Sequence, residues 1–280
     1  MTTGQTTYAF RSSEHTRTQL ASIQRYLDDL TMRRIHELNL PSDGCCWDVG
    51  AGAGSIATWL AEEVVPDGRV VATDIDTGLL APAANLDVYR ADVATDDPPP
   101  GGPFDLIHAR LVTQHLPSRR TLIAALAAAL KPGGWLLLGE FDCQVPPRVI
   151  AAPTNEDADL WDRFIRSLLG VLTAHGVDMA WAGQVHPAMT AAGLINVESL
   201  TYTESWAGGG YGTRLYEANS RQQEERLRAA GLTSDDLTRL RTLLTNPHFT
   251  ASSYPFVSTC GQRPSGLHLV ASNDGVGAQR

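Results

Sequence analysis

Lysine is nearly missing from this chain: Lys131 is the only one, and every other basic side chain is an arginine. With 22 basic against 31 acidic residues, the formal net charge is −9. Such a surface has no general attraction for nucleic-acid phosphates or anionic lipid, so neither nucleic acid nor membrane is an expected partner. The longest apolar run, near residues 122–130, falls far short of the roughly 20 residues that cross a bilayer. The four cysteines, Cys45, Cys46, Cys143 and Cys260, form no CxxC pair and no metal-ligand spacing, which predicts reduced thiols and no metal. The opening "MTTGQTTYAF" lacks the basic and then apolar pattern of a secretory leader, so the expected location is cytoplasmic. Abundant alanine with arginine in place of lysine is the composition of a GC-rich bacterial genome.

What is present is an alternation. Apolar positions at helical spacing predict a helix over 12–40, followed by the breaker "LPSDG". Strands are expected at 45–49, 69–75, 86–92, 104–109 and 135–141, with helices at 55–65, 79–85 and 119–130 between them. This order is that of right-handed βαβ units and an open parallel sheet. Beyond it the rhythm changes: helices at 155–175 and 185–192, a strand at 194–206, a helical segment over 216–244 broken near Gly231, and a last strand at 254–264. Five segments follow: a helical lid (1–40), a ligand-binding core (41–146), a helical insertion (147–193), the last two strands with an inserted helical cap (194–270), and a disordered tail (271–280).

The segment "CWDVGAGAGSIATWLAEEV" places an aspartate and three alternating glycines between a strand and a helix. In an open parallel sheet, ligands sit beyond the strand C-termini where the strand order reverses, so this turn is the natural site. A dinucleotide turn needs G-x-G-x-x-G, but Ser55 occupies the third glycine position and Asp48 would repel a pyrophosphate. A cationic ligand suits Asp48 better. Asp74 closes the second strand where a carboxylate accepts from a ribose diol. Asp92 closes the third, where it can accept from an adenine amine while Val93 N–H faces a ring nitrogen. Ammonium, ribose and adenine together describe S-adenosylmethionine (SAM). Aromatics of the C-terminal half, Trp161, Trp181, Trp206, Tyr211 and Tyr216, are read as core, with an aromatic-lined pocket as the sharper alternative. "WAGGGYGT" is read as a hinge for a lid.

"WDVGAGAGS", "VVATDID", "ADV", "FDLIHARLVTQHL" and "LKPGGWLLLGEFD" stand in the order and spacing of class I SAM-dependent methyltransferases, and over about 45–142 the chain resembles that family. The resemblance implies an α/β, Rossmann-like seven-stranded sheet, mostly parallel with an antiparallel last strand, helices on both faces and a helical cap. It implies SAM as cofactor, S-adenosylhomocysteine as product, and cofactor contacts from Asp48, Gly50, Ala51, Gly52, Asp74, Ile75, Asp92 and Val93, with Asp76 a second candidate for the ribose. His108 and Ala109 would offer backbone to the methionine moiety. Arg110 would hold a carboxylate or form a salt bridge, and Tyr8 and Gln24 would belong to a lid over the cofactor. Sugar O-methyltransferases of this family place an active-site histidine where His115 stands, and an acidic partner sits at Glu140, with Asp142 its rival; His115 and Glu140 are the expected catalytic pair. His175, His186 and His248 are read as surface or packing residues. "HARLVT" in place of N-P-P-[YF] argues against adenine-N6 and glutamine methylation. The expected activity is O- or N-methylation of a small molecule, a specialised (natural-product) metabolite. C-methylation, and a SAM-binding fold used as a cyclase or binding protein, stay open, as does a homodimer. An NAD-dependent oxidoreductase is disfavoured by Ser55 and Asp48.

Overall fold

The computed structural model describes residues 14–266; Tyr8 and the tail expected at 271–280 lie outside them. The described residues open with helix α1 (Glu14–Glu37) and then build strands β1 (Cys45–Val49), β2 (Arg69–Asp74), β3 (Leu86–Arg90), β4 (Phe104–Arg110) and β5 (Leu130–Phe141). Helix α2 (Ser55–Trp59), prolonged by a π-helical turn (Leu60–Val64), follows β1, and α3 (Arg119–Ala129) precedes β5. Helices α4 (Asn155–Ala174) and α5 (Trp181–Ala191) lead to β7 (Ile195–Tyr202), and β10 (Phe256–Gln262) ends the described fold. The seven strands run in the order β3-β2-β1-β4-β5-β10-β7. Pairings among β1 to β5 are parallel, and β10 is antiparallel to both neighbours. The order reverses between β1 and β4, so a cleft opens there at the strand C-termini.

The strand sequences explain the layering. In β1, Trp47 and Val49 point to the face covered by Leu122, Ile123 and Leu126 of α3 and Trp181, Val185 and Met189 of α5. Cys46 points to the opposite face, where Ile35 of α1, Ile56 and Ala57 of α2 and Leu60 of the π-helical turn meet Val70, Leu106 and Leu137. Both faces are buried, hence the near-continuous apolar runs of the central strands.

A second unit caps the sheet. It comprises α4, α6 (Tyr211–Gln222), α7 (Glu224–Ala229), α8 (Ser234–Thr245) and a small antiparallel sheet, β6 (Val149–Ala151), β9 (Thr250–Ser252) and β8 (Ser205–Ala207). Its interior is a ring cluster: Trp161 meets Tyr216 edge-on at 4.9 Å between centroids and Phe249 at 5.2 Å. The cap aromatics are therefore core. Tyr26 and Leu27 of α1 join this cluster, and Gln19 donates to Asn219 Oδ1 of α6 at 2.9 Å, so α1 is held between the sheet and the cap.

Several expectations change. Residues 79–85 form a turn with an isolated Ala83–Leu86 bridge, not a helix; Pro82 removes the N–H and crowds the turn a helix would need. The strand expected over 194–206 divides into β7 and β8, which belong to different sheets, and the helical segment expected over 216–244 is three helices beginning at Tyr211. Two of the "WAGGGYGT" glycines, Gly208 and Gly212, serve close packing. A Cβ on Gly212 would lie 1.9 Å from Trp206 Cδ2, and one on Gly208 would lie 1.9 Å from the Asn246 carbonyl oxygen. The three-residue strands β6 and β9 carry no sequence signal, being too short to show a period.

Candidate cofactor and acceptor site

A cavity of about 660 Å³ lies at the switch point between β1 and β4, roofed by α1. That volume is within the range of small-molecule sites, about 300–1,000 Å³. Its floor is the glycine turn. Gly50 and Gly52 have φ of 65° and 60°, the left-handed region that glycine enters without a Cβ penalty. A Cβ on Gly50 would meet Val112 Cγ2 at 2.4 Å. The turn is latched to the next strand: Gly50 and Ala51 N–H donate to Thr73 O (2.7 and 3.0 Å), and Gly52 N–H donates to Asp74 Oδ2 (2.8 Å).

Asp74 Oδ1 also accepts from Asp76 N–H (3.0 Å), and burial holds its carboxyl above the ordinary aspartate range. A carboxylate has about four lone-pair sites, so two remain for a diol. Asp92 Oδ1 accepts from Ala94 N–H (3.0 Å), which sets the turn that carries Val93. Asp48, Asp74, Asp76 and Asp92 all line the cavity. Four carboxylates disfavour a pyrophosphate and favour a cationic ligand with hydroxyl and amine donors. Asp48 differs from its expected role in one respect: His108 Nδ1 lies 2.7 Å from its Oδ1, and both side chains are 3% exposed. The two face the cavity as one paired unit.

Gln24, Ala51, Ile75, Val93, His108, Arg110 and His115 also line the cavity. Ala109 does not; it is fully buried. Arg110 is committed elsewhere, donating to Asp28 Oδ1 (2.8 Å) and Thr31 Oγ1 (3.1 Å) of α1. Ser55 Oγ donates to the same Asp28 oxygen (3.1 Å). This half-buried bridge fastens the α1 roof to the sheet, and is the salt-bridge reading of Arg110.

The expected catalytic pair separates. His115 stands on the cavity wall, in a 3-10 turn (Thr113–His115) after β4. Desolvation, and then the nearby Arg119 charge, lower its pKa to about 4. Glu140 is fully buried and does not reach the cavity. Its Oε1 accepts from Thr113 N–H (2.8 Å), Thr113 Oγ1 (2.5 Å) and Gln114 N–H (3.3 Å), while its Oε2 has no hydrogen-bond partner of good geometry among the described residues. Trp181 Nε1–H donates to Thr113 Oγ1 (2.7 Å), completing a buried chain from α5 to β5. Glu140 thus pins the loop that carries His115. The rival, Asp142, accepts from Gln144 N–H (3.0 Å).

Burial raises the Glu140 pKa from 4.5 to about 7. The native state therefore holds this proton more tightly than the unfolded chain does. The resulting stabilisation is complete below the unfolded value and is lost as pH rises through the folded one. Urea melts at about pH 5 and about pH 8 should show wild type losing on the order of 3 kcal/mol relative to Glu140→Gln across that window. Parallel pH profiles for the two proteins would remove Glu140 from this role.

Some wall residues were missed by sequence reasoning. Leu20, Gln19 and Thr16 of α1 line the cavity, as do Leu111, Val112 and Leu116. So does His175, which had been read as surface or packing. Among the described residues no cluster of histidine, cysteine or carboxylate side chains suits a metal ion, and no helix is long and apolar enough to cross a membrane.

The profile of the methyltransferase-domain family matches residues 20–233. The chain belongs to the class I SAM-dependent methyltransferase family. Curated relatives include the trans-aconitate 2-methyltransferase of Variovorax paradoxus (strain S110), 32% identical over 62% of this chain and 75% of that one. Another, from Paracidovorax citrulli (strain AAC00-1), is 31% identical over 64% of this chain and 78% of that one. Methyltransferase str3 of Strobilurus tenacellus is 33% identical over 34% of each chain, so the match spans about a third of that protein. Among solved structures, a Bacillus halodurans C-125 protein assigned to the methyltransferases superposes with TM-score 0.53 at 15% identity, covering 83% of this chain and 98% of its own. The YcgJ protein of Bacillus subtilis gives 0.52 at 15% identity, over 84% and 98%. At such identity these two show the fold alone.

Proposed function

We propose that the protein binds SAM in this cavity and transfers its methyl group to an oxygen or nitrogen nucleophile of a small molecule, as a cytoplasmic enzyme of specialised metabolism. The observation that carries the reading is the convergence of the latched glycine turn, Asp74 and Asp92 on one cavity. Asp74 is the partner for the ribose diol and Asp92, with Val93 N–H, for the adenine. The Asp48–His108 pair and Gln24 face the amino-acid end. A bound SAM supplies a methyl group on a positively charged sulfur that leaves as a neutral thioether. What the chain must then do is align the nucleophile, exclude water and handle one proton. Leu111, Val112 and Leu116 supply apolar wall, and α1, tied down through Asp28, keeps the roof over it.

The acceptor is sought by incubating the protein with SAM and cell extracts, with small organic acids added because two relatives are named for trans-aconitate. A methylated product and S-adenosylhomocysteine should appear together. S-adenosylhomocysteine binding without any methylated product would favour the cyclase-like or binding alternatives.

A further inference from the structure

The cap contributes one side chain to the cavity wall among the described residues: His175, just beyond the C-terminus of α4. Its Nδ1 lies 2.7 Å from the Val171 carbonyl oxygen. A carbonyl can only accept, so Nδ1 carries the proton. The neutral ring then has a bare lone pair on Nε2, and that nitrogen makes no hydrogen bond to the described residues. A backbone carbonyl that holds one ring nitrogen leaves the other oriented and able to accept a proton, as a general base requires.

The position is built from several elements. Asp178 N–H donates to Gln114 O (3.1 Å), and Arg119 Nη2 donates to Gly176 O (3.2 Å) and Gln114 O (3.4 Å), while Arg119 Nη1 meets Asp178 Oδ2 at 2.7 Å. These contacts stitch the corner after α4 to the loop after β4. His175 and His115 therefore reach one cavity from two joined loops. The charged and titratable groups at this corner are His115 from the 3-10 turn, Arg119 from α3 and Asp178 before α5.

The other candidates for the proton are poorly placed. Glu140 is sealed behind the Thr113 turn, and Asp48 is paired with His108. His115, with its pKa near 4, gives little driving force for taking a proton at neutral pH. His175 is half-buried, so a proton taken from the cavity has a route to water.

We propose that His175, not His115, is the proton acceptor in methyl transfer. This rests on the SAM-dependent reading above. As the lone pair of an O–H or N–H acceptor forms its bond to the methyl carbon of SAM, the carbon–sulfur pair returns to sulfur. The acceptor's proton passes to His175 Nε2 and then to solvent. His115 is a neutral wall residue.

The test is long-range proton–nitrogen NMR of the histidine rings in the free protein and in the protein saturated with S-adenosylhomocysteine or with SAM, with His175 assigned through His175→Gln. The expected tautomer in the free protein is Nδ1–H. The His175 ring nitrogen shifts should differ between the SAM and S-adenosylhomocysteine complexes, because on this proposal the sulfonium lies near the ring, while those of exposed His186 and His248 should not move. An Nε2–H tautomer, or the same His175 ring shifts in both complexes, would overturn the proposal. Calorimetry on the same samples keeps the two readings apart, since absent SAM binding sinks the cofactor assignment while the tautomer stands. With any acceptor from the extract screen, His175→Gln should lower single-turnover rate by about 10²–10⁴-fold at unchanged S-adenosylhomocysteine affinity. A loss under about tenfold, or a larger loss in His115→Ala, would return the proton to another group.

Discussion

Gly52→Val will lower S-adenosylhomocysteine affinity by more than about a hundredfold, or roughly 3 kcal/mol, in a protein that still folds. The residue sits at φ 60° on the cavity floor. A β-branched side chain is a genuine outlier there, so the turn must shift or remain strained. A Cβ would already lie 3.3 Å from Leu20 Cδ2 of the roof, and two further methyl groups must displace Leu20 or project into the space the ligand needs. Any shift also breaks the Gly52 N–H to Asp74 bond of 2.8 Å. Titration calorimetry measures the affinity and a circular-dichroism melt checks the fold. A folded variant that binds as wild type does would place the ligand elsewhere.

Asp74→Ala is the second large effect. The carboxylate has two tasks: it holds Gly52 and Asp76 N–H through its own oxygens, and its remaining lone pairs face the cavity. Charge-assisted bonds of this kind are worth about 1.5–3 kcal/mol, which corresponds to roughly tenfold to a hundredfold in affinity. Asp74→Asn keeps one acceptor oxygen and the side-chain shape, so it should lose less. Equal losses in the two variants would mean that the ribose contact is minor. Affinity within twofold of wild type in Asp74→Ala would remove the residue from the ribose role.

The core was legible in the sequence because its signals are local. The β1 turn announces itself through Asp48 and the glycines, and the carboxylates at the ends of β2 and β3 follow from strand length alone. The alternation of Cys46 and Trp47 between two buried faces is visible as a continuous apolar run. The cap was less legible. Its strands are three residues long, and Ser205–Ala207 reads as the end of β7 until the small sheet separates it. The pairing of Asp48 with His108 joins neighbouring strands, and Arg110 with Asp28 joins β4 to α1; neither is encoded in spacing. Glu140 has the position of a catalytic carboxylate in sequence, and only its burial behind Thr113 shows that it supports the loop instead. His175 carries no sequence signal at all, since its place on the wall depends on the corner after α4 docking against Gln114.

We infer that this cavity is an S-adenosyl cofactor site. Titration calorimetry of the wild-type protein with S-adenosylhomocysteine, run beside the same titration with NAD, tests it most directly. Saturable one-to-one binding of S-adenosylhomocysteine and no heat of binding with NAD are expected. Binding of NAD with no binding of S-adenosylhomocysteine would contradict it.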